Sequence, residues 1–186
     1  IRGVKFDSTS RNQRRINSNT HFLDLNTTSD YSNFVDYEVI YFLAGISSIS
    51  QCERDKEESL RINVTNTIQL LKHFSEISAH IVYPSSNHIF DGLSPNKTHL
   101  QDERPQSFYG ELKKAVETEI FQNFRNYTIV RLGKVLSPGL SVLETWCDAL
   151  VSGGEITVKD NHFISPVTIN VACQVLAHQG IARSQN

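Results

Sequence analysis

Apolar positions along the chain fall into two alternating patterns. Short continuous runs bounded by polar turns predict strands, and longer stretches with apolar residues three and four apart predict helices. Residues 38–45 form one such run, Val39-Ile40-Tyr41-Phe42-Leu43-Ala44-Gly45 after Glu38, as expected of a parallel strand buried on both faces. Its small end lets a ligand approach. From about residue 50 to 77, a charged first turn precedes Leu60, Val64, Ile68, Leu71 and Phe74 at helical spacing, predicting one long helix packed through that stripe. Ala79-His80-Ile81-Val82-Tyr83-Pro84 is the next strand and delivers Ser85 and Ser86 at its carboxyl end, where open parallel sheets place their ligands. Pro84 has no N–H for a ladder, so its expected place is the strand's exit. A helix bearing Tyr109 and Lys113 runs on to about Phe124, and residues 127–132 resume the sheet. Upstream, residues 3–11 read as a short strand ending in a hydroxyl-rich turn, and 21–25 as another, with a short helix toward Val35. Downstream, 143–151 read as a helix, 155–158 as a short strand and 170–178 as a last helix. Strands alternating with helices predict an α/β fold with a parallel sheet.

Composition narrows the function classes. A chain of 186 residues with 39% hydrophobic content has material for a sizeable core. Its net charge of −2 and single basic cluster, residues 11–15, give no electrostatic footprint for a nucleic acid polymer. Cys52, Cys147 and Cys173 lie far apart without Cys-x-x-Cys spacing, so they are expected to be small core residues rather than a disulfide framework. The histidines show no ligand spacing, so no metal is expected. No apolar run reaches membrane-span length and no signal-peptide pattern opens the chain, which makes cytoplasm the default and a membrane partner unexpected.

The candidate chemistry lies between residues 85 and 113. On a helix Tyr109 and Lys113 stand one above the other, about 6 Å apart along the axis. An ordinary phenol titrates near pH 10, so proton exchange near neutrality requires a shift of roughly 3 units, about 4 kcal/mol. One ammonium about 5 Å away supplies roughly 3 kcal/mol at an effective dielectric of about 20, and a second positive charge would close the gap. A hydroxyl at the preceding strand end, Ser86, is placed to hydrogen-bond a substrate carbonyl and turn it toward the phenol. By itself, however, Tyr-x-x-x-Lys equally describes a packed ring and a solvated amine.

Ser85-Ser86-Asn87-His88-Ile89-Phe90-Asp91-Gly92 followed by Tyr109-x-x-x-Lys113 resembles the extended short-chain dehydrogenase/reductases, and within them the dTDP-4-dehydrorhamnose reductase-like group. That group's strand typically reads Ser-Thr-Asp-x-Val-Phe-Asp-Gly, with Ser86 here at the Thr position and Asn87 at the Asp position. The resemblance extends from about residue 3 to 177. It implies a Rossmann-like doubly wound parallel sheet, with residues 1–138 as the dinucleotide-binding core carrying the catalytic residues and 139–186 as part of a substrate-binding portion. It also implies that Tyr109 exchanges the proton, Lys113 lowers its pKa and holds the nicotinamide ribose, and Ser86 orients the carbonyl, with Asn87 and His88 beside the substrate.

The cofactor implied is NADP, because Arg11 stands where the family accommodates the adenosine 2′-phosphate, with Arg14 or Arg15 as helpers; Asp7 keeps NAD open. Asp24 and Leu25 match the family's turn beside the adenine, and an N-cap is the competing explanation for Asp24. Leu43, Ala44 and Gly45 match the strand end beside the nicotinamide ribose, with Phe42 at a His-like position. Asn63 matches an asparagine that braces the site from within a helix, although Asn66 replaces a family glycine. Asp160, Ser165 and Pro166 fit an Asp-x-x-x-x-Ser-Pro segment leading to a helix, and residues 93–105 are a candidate lid. The family's Gly-x-x-Gly-x-x-Gly turn is not found, so the chain is expected to be a fragment of a longer protein, the other reading being a degenerate relative. Two classes follow: an NAD(P)-dependent oxidoreductase (or a related epimerase or dehydratase) acting on a nucleotide sugar, with a homodimer one assembly open to it, and a non-catalytic regulatory or binding subunit on the same fold.

Overall fold

The computed structural model describes residues 5–93, 97–98, 102–139, 142–157 and 164–184. Strands β1 (Ser8–Ser10) and β2 (Thr20–Phe22) pair in parallel, Ser8 opposite Thr20. Strands β3 (Val39–Tyr41), β4 (His80–Ser86) and β5 (Tyr127–Leu132) form a second parallel sheet in that order, with β4 central. In the doubly wound order 3-2-1-4-5-6 the first strand lies between the second and fourth, and the two groups found here follow the 3-2 and 4-5-6 parts of that order.

Between β2 and β3 the expected short helix is not formed, and residues 25–36 make turns. The cause is local competition: Thr28 Oγ1 accepts from Asp24 N (3.0 Å), and Asp24 O accepts from the backbone N–H groups of Thr27 and Thr28. The long helix expected over 50–77 is segmented into α1 (Ile49–Arg54), α2 (Lys56–Leu60), a widened π turn (Arg61–Asn66) and α3 (Thr67–Glu76). Just past the wide turn, Thr67 Oγ1 donates to Ile62 O five residues back (2.8 Å), supplying a bond to a carbonyl that an α-helical ladder would otherwise use.

Pro84 lies inside β4 rather than at its exit. His80 N donates to Glu38 O and Val82 O accepts from Phe42 N, so the even residues of β4 direct their main-chain groups toward β3. The β3 pairing ends at Tyr41 opposite Val82, so the missing N–H of Pro84 faces a stretch beyond that ladder.

Helix α4 (Phe108–Asn123) is capped by Ser107, whose Oγ accepts from Gly110 N (3.2 Å). Gly110 is required here, because a Cβ would overlap the His88 carbonyl. Downstream, β6 (Val135–Leu136) pairs in parallel with β7 (Val167–Thr168), and helices α5 (Val142–Val151) and α6 (Ile169–Ser184) complete the described elements. Residues 155–157 form no strand: α5 closes through Ser152, Gly153 and Gly154, with Gly154 N donating to Ala149 O (2.8 Å). Val158 and Asp160 lie outside the described residues, as does part of the candidate lid.

The core joins Leu70, Leu71 and Phe74 of α3 and Val116 and Ile120 of α4 to Ile81 and Tyr83 of β4 and to Phe42. On the opposite face, Tyr41 OH donates to Ala177 O of α6 (3.2 Å), and Gly180 packs against Tyr41 and Val39. Helices therefore cover both faces of the central sheet. Of the cysteines only Cys52 is a core residue; Cys147 and Cys173 are exposed, each on an outward position of its helix.

Candidate active site

The serine pair sits where β4 runs into a 3-10 turn, Asn87–Ile89. Ser86 Oγ accepts from His88 N (3.2 Å), capping that turn, and lies 3.5 Å from Asn87 Oδ1. Gly110 lets the first turn of α4 close onto this segment, and the His88 ring meets the Tyr109 ring edge-on at 5.9 Å. One helical turn later, Lys113 Nζ donates to Pro84 O (3.0 Å) and Tyr83 OH (3.3 Å) and lies 4.6 Å from the centre of the Tyr83 ring. The carbonyl it uses belongs to the residue whose N–H is missing.

Burial dominates the electrostatics. It pulls the Lys113 ammonium down to about 8, against the support of the Glu117 carboxylate. It pushes the Tyr109 phenol up, with Cys52 adding to the rise and a hydrogen bond from Ser86 opposing it. Lys113 is not among the groups that move the phenol. The ammonium is turned onto Pro84 and Tyr83, 6.0 Å from the Tyr109 ring centre.

The opposite wall is the end of β3. Leu43, Ala44 and Gly45 are exposed along it, and Asn63 holds the chain beyond by a two-way clamp, accepting from Ile46 N (2.7 Å) and donating to Ile46 O (2.9 Å). Gly45, at φ 130, has no room for a side chain, since a Cβ would sit 2.9 Å from Asn63 Oδ1. Together these residues enclose a cleft of about 220 Å³ at the carboxyl ends of β3 and β4, lined also by Ser86, Tyr109, Lys113, Leu132 and Gly133. Gly133 closes against the Ser165 backbone, which brings the expected Ser165-Pro166 segment beside the cleft.

Leu43, Ala44, Gly45, Asn63, Ser86, Tyr109 and Lys113 thus share one cleft. Others are placed apart from it. Arg11 is exposed in a turn where Ser10 Oγ accepts from Asn12 N (3.1 Å). The Asp24 carboxylate accepts from Asn26 N (2.9 Å) and caps no helix, since the residues after it form turns. Leu25 is buried in the core, and its carbonyl accepts from Asn66 Nδ2 (2.5 Å). Asn87 is exposed and does not line the cleft, and His88 reaches it only through Tyr109.

The sequence reading missed Tyr83 and the Pro84 carbonyl as anchors of Lys113, and the ion cluster behind it. Arg131 of β5 pairs with Glu117 (Nη2 to Oε2, 2.6 Å) and with Glu103, and stands over the Phe90 ring. Two-residue alternation along β4 and four-residue spacing along α4 were the signals available for Tyr83 and Glu117.

These residues fit the nicotinamide dinucleotide that the resemblance implies. A small-residue wall, a buried cation and a buried Ser85 Oγ without a hydrogen-bond partner among the described residues fit a polar ligand entering the cleft. Among the described residues no group of three His, Cys, Asp or Glu could hold a metal ion, and no helix is long and apolar enough to cross a membrane.

Parallel strand order, helices on both faces and a cleft at the strands' carboxyl ends define a Rossmann-like α/β fold. The chain belongs to the RmlD substrate binding domain family, which matches residues 2–185. The Bacillus subtilis (strain 168) spore coat polysaccharide biosynthesis protein SpsK is 24% identical over 131 residues, 69% of this chain and 46% of that protein. A hypothetical dTDP-4-dehydrorhamnose reductase from Sulfolobus tokodaii superposes with a TM-score of 0.78 at 22% identity, covering 91% of this chain and 62% of that one. MoeE5 in complex with UDP-glucuronic acid and NAD superposes with a TM-score of 0.74 at 18% identity, covering 92% and 62%. Other solved structures with this fold hold NADP or NAD. The chain spans about half the length of SpsK and under two thirds of these two solved chains.

Proposed function

We propose that this chain supplies the catalytic cleft of an NAD(P)-dependent oxidoreductase that acts on a sugar carbonyl of a nucleotide sugar, dTDP-4-dehydrorhamnose reductase-like. The observation that carries this reading is the convergence of Ser86, Tyr109 and Lys113 with the small-residue end of β3 in one cleft. Family membership and a fold shared with enzymes crystallised with nucleotide sugars support it.

Leu43, Ala44, Gly45, Asn63 and Lys113 would hold the nicotinamide ribose end of the cofactor, and Arg11 would meet the adenosine end. When bound, the reduced nicotinamide supplies the hydride. Ser86 donates to the carbonyl oxygen and turns it toward Tyr109, whose phenol, kept protonated by burial, gives its proton to that oxygen as it becomes an alcohol. Lys113 places positive charge beside the phenolate this leaves behind, which eases the transfer, and solvent returns the proton.

The test is calorimetric titration of the protein expressed from its complete reading frame with NADPH, NADH and nucleotide sugars. Micromolar-range binding of one dinucleotide together with a nucleotide sugar is expected. A folded protein that binds neither dinucleotide contradicts the oxidoreductase reading and favours the regulatory one.

A further inference from the structure

We infer that Ser85 is a ligand-binding residue of the cleft, its hydroxyl donating to a carbonyl oxygen of the bound ligand. This rests on the oxidoreductase reading above and extends it to a residue to which neither the resemblance nor the motif assigns a role.

Ser85 is only 5% exposed, yet its Oγ has no hydrogen-bond partner among the described residues. Buried hydroxyls are normally paired, and one left unpaired is costly, so the arrangement calls for a partner that arrives. The position is fixed by the sheet: Ser85 is in register with Arg131 of β5 and forms part of the cleft wall. Alternation along β4 puts Ser85 on the face of Ile81 and Tyr83, toward α4, where Lys113 lies over the Tyr83 ring. A carbonyl bound in the cleft therefore lies beside a wall that includes Ser85, Ser86 and Tyr109.

The neighbouring Ser86 hydroxyl already holds a partner. Ser86 Oγ accepts from His88 N, which ties it to the turn it caps. Ser59, the other buried serine without a hydrogen-bond partner in the described geometry, does not line the cleft and lies beside the Cys52 thiol. Ser85 is thus a held donor that need not break another bond to meet a ligand.

Two carbonyls could arrive: the nicotinamide carboxamide of the dinucleotide or the ketone of the sugar. The test titrates wild type, Ser85→Ala, Ser85→Thr and Ser86→Ala, each from the complete reading frame, with NADPH, NADH and dTDP-4-keto-6-deoxyglucose in separate arms. Ser85→Ala should weaken one arm about tenfold, equivalent to about 1.4 kcal/mol. Ser85→Thr, which keeps the hydroxyl, should stay within about threefold of wild type. The weakened arm identifies which carbonyl is met. In the ligand-free protein, Ser85→Ala should melt at or above the wild-type temperature, whereas Ser86→Ala, which loses a cap, should melt lower. Equal affinity of Ser85→Ala and wild type in every arm overturns the assignment while leaving the oxidoreductase reading intact. A wild type that binds none of the three ligands defeats both.

Discussion

For Lys113, spacing fixes the place on the helix and leaves the partners open. Its place on the Tyr109 face follows from four-residue spacing, which the helix imposes whatever surrounds it. Its partners do not follow from spacing, since the Pro84 carbonyl and Tyr83 hydroxyl come from a strand some thirty residues earlier. Burial holds Lys113 near 8 in the fold against 10.5 as a free side chain. Between those values the unfolded chain binds the proton more tightly, so this group's contribution to stability rises as pH increases from about 8 toward 10.5. Below about 8 the lysine is charged in both states and the cost of burying the charge is fully present. If the lysine charge assists Tyr109, kcat/KM for carbonyl reduction falls about tenfold per pH unit above about 8. Pre-steady-state or steady-state pH profiles test this, and a flat profile to pH 10 in a protein that stays folded would remove Lys113 from the proton path. Asp24 and Leu25 are placed by their local backbone. Their match was to a turn, and a turn is what they build, with the carboxylate on Asn26 and the leucine in the core.

At the scale of elements, helix α4 ties the site to the sheet behind it. Tyr109, Lys113 and Glu117 follow one another at four-residue steps, and Glu117, buried, is paired with Arg131 of β5, which also takes Glu103 from the segment before α4. Glu117→Gln is expected to lower stability by about 3 kcal/mol, because it weakens one partner of a buried ion pair. It should also move the Lys113 limb to lower pH, since the carboxylate supports the lysine's charge. Denaturant melts and the shifted pH profile measure the two effects separately, and a wild-type profile in Glu117→Gln would show that Lys113 does not sense the cluster. The strands β3 and β4 were legible because a strand packed on both faces reads as a near-continuous apolar run. The interruption of the helix over 50–77 was not, because apolar spacing carries no mark of the wide turn in which Asn63 and Thr67 turn their polar groups to Ile46 and Ile62, and past that turn the stripe shifts, leaving Leu60 exposed. Nor was the fate of residues 155–157, whose strand-like composition found no ladder partner among the described residues once α5 had closed at Gly153 and Gly154.

For the whole molecule, the cleft is a product of topology. Parallel strands bring their carboxyl ends to one side, and there β3 supplies small residues, β4 its serine pair and α4 a tyrosine and a lysine, drawn from segments up to about seventy residues apart. Helix α6 covers the face of the sheet opposite α3 and α4, so both faces of β3 and β4 are packed. The fold class was readable from alternation alone. The division of β1–β2 from β3–β4–β5 was not, because strand order is set by which edges meet rather than by composition. The central claim is that this cleft carries out carbonyl reduction through Tyr109. Its most direct test is consumption of reduced nicotinamide by the complete-frame protein with a dTDP-4-keto sugar, comparing wild type with Tyr109→Phe under conditions where both bind cofactor. The expected result is a loss of at least about a hundredfold in turnover with dinucleotide affinity retained. Turnover by Tyr109→Phe at the wild-type rate would contradict it.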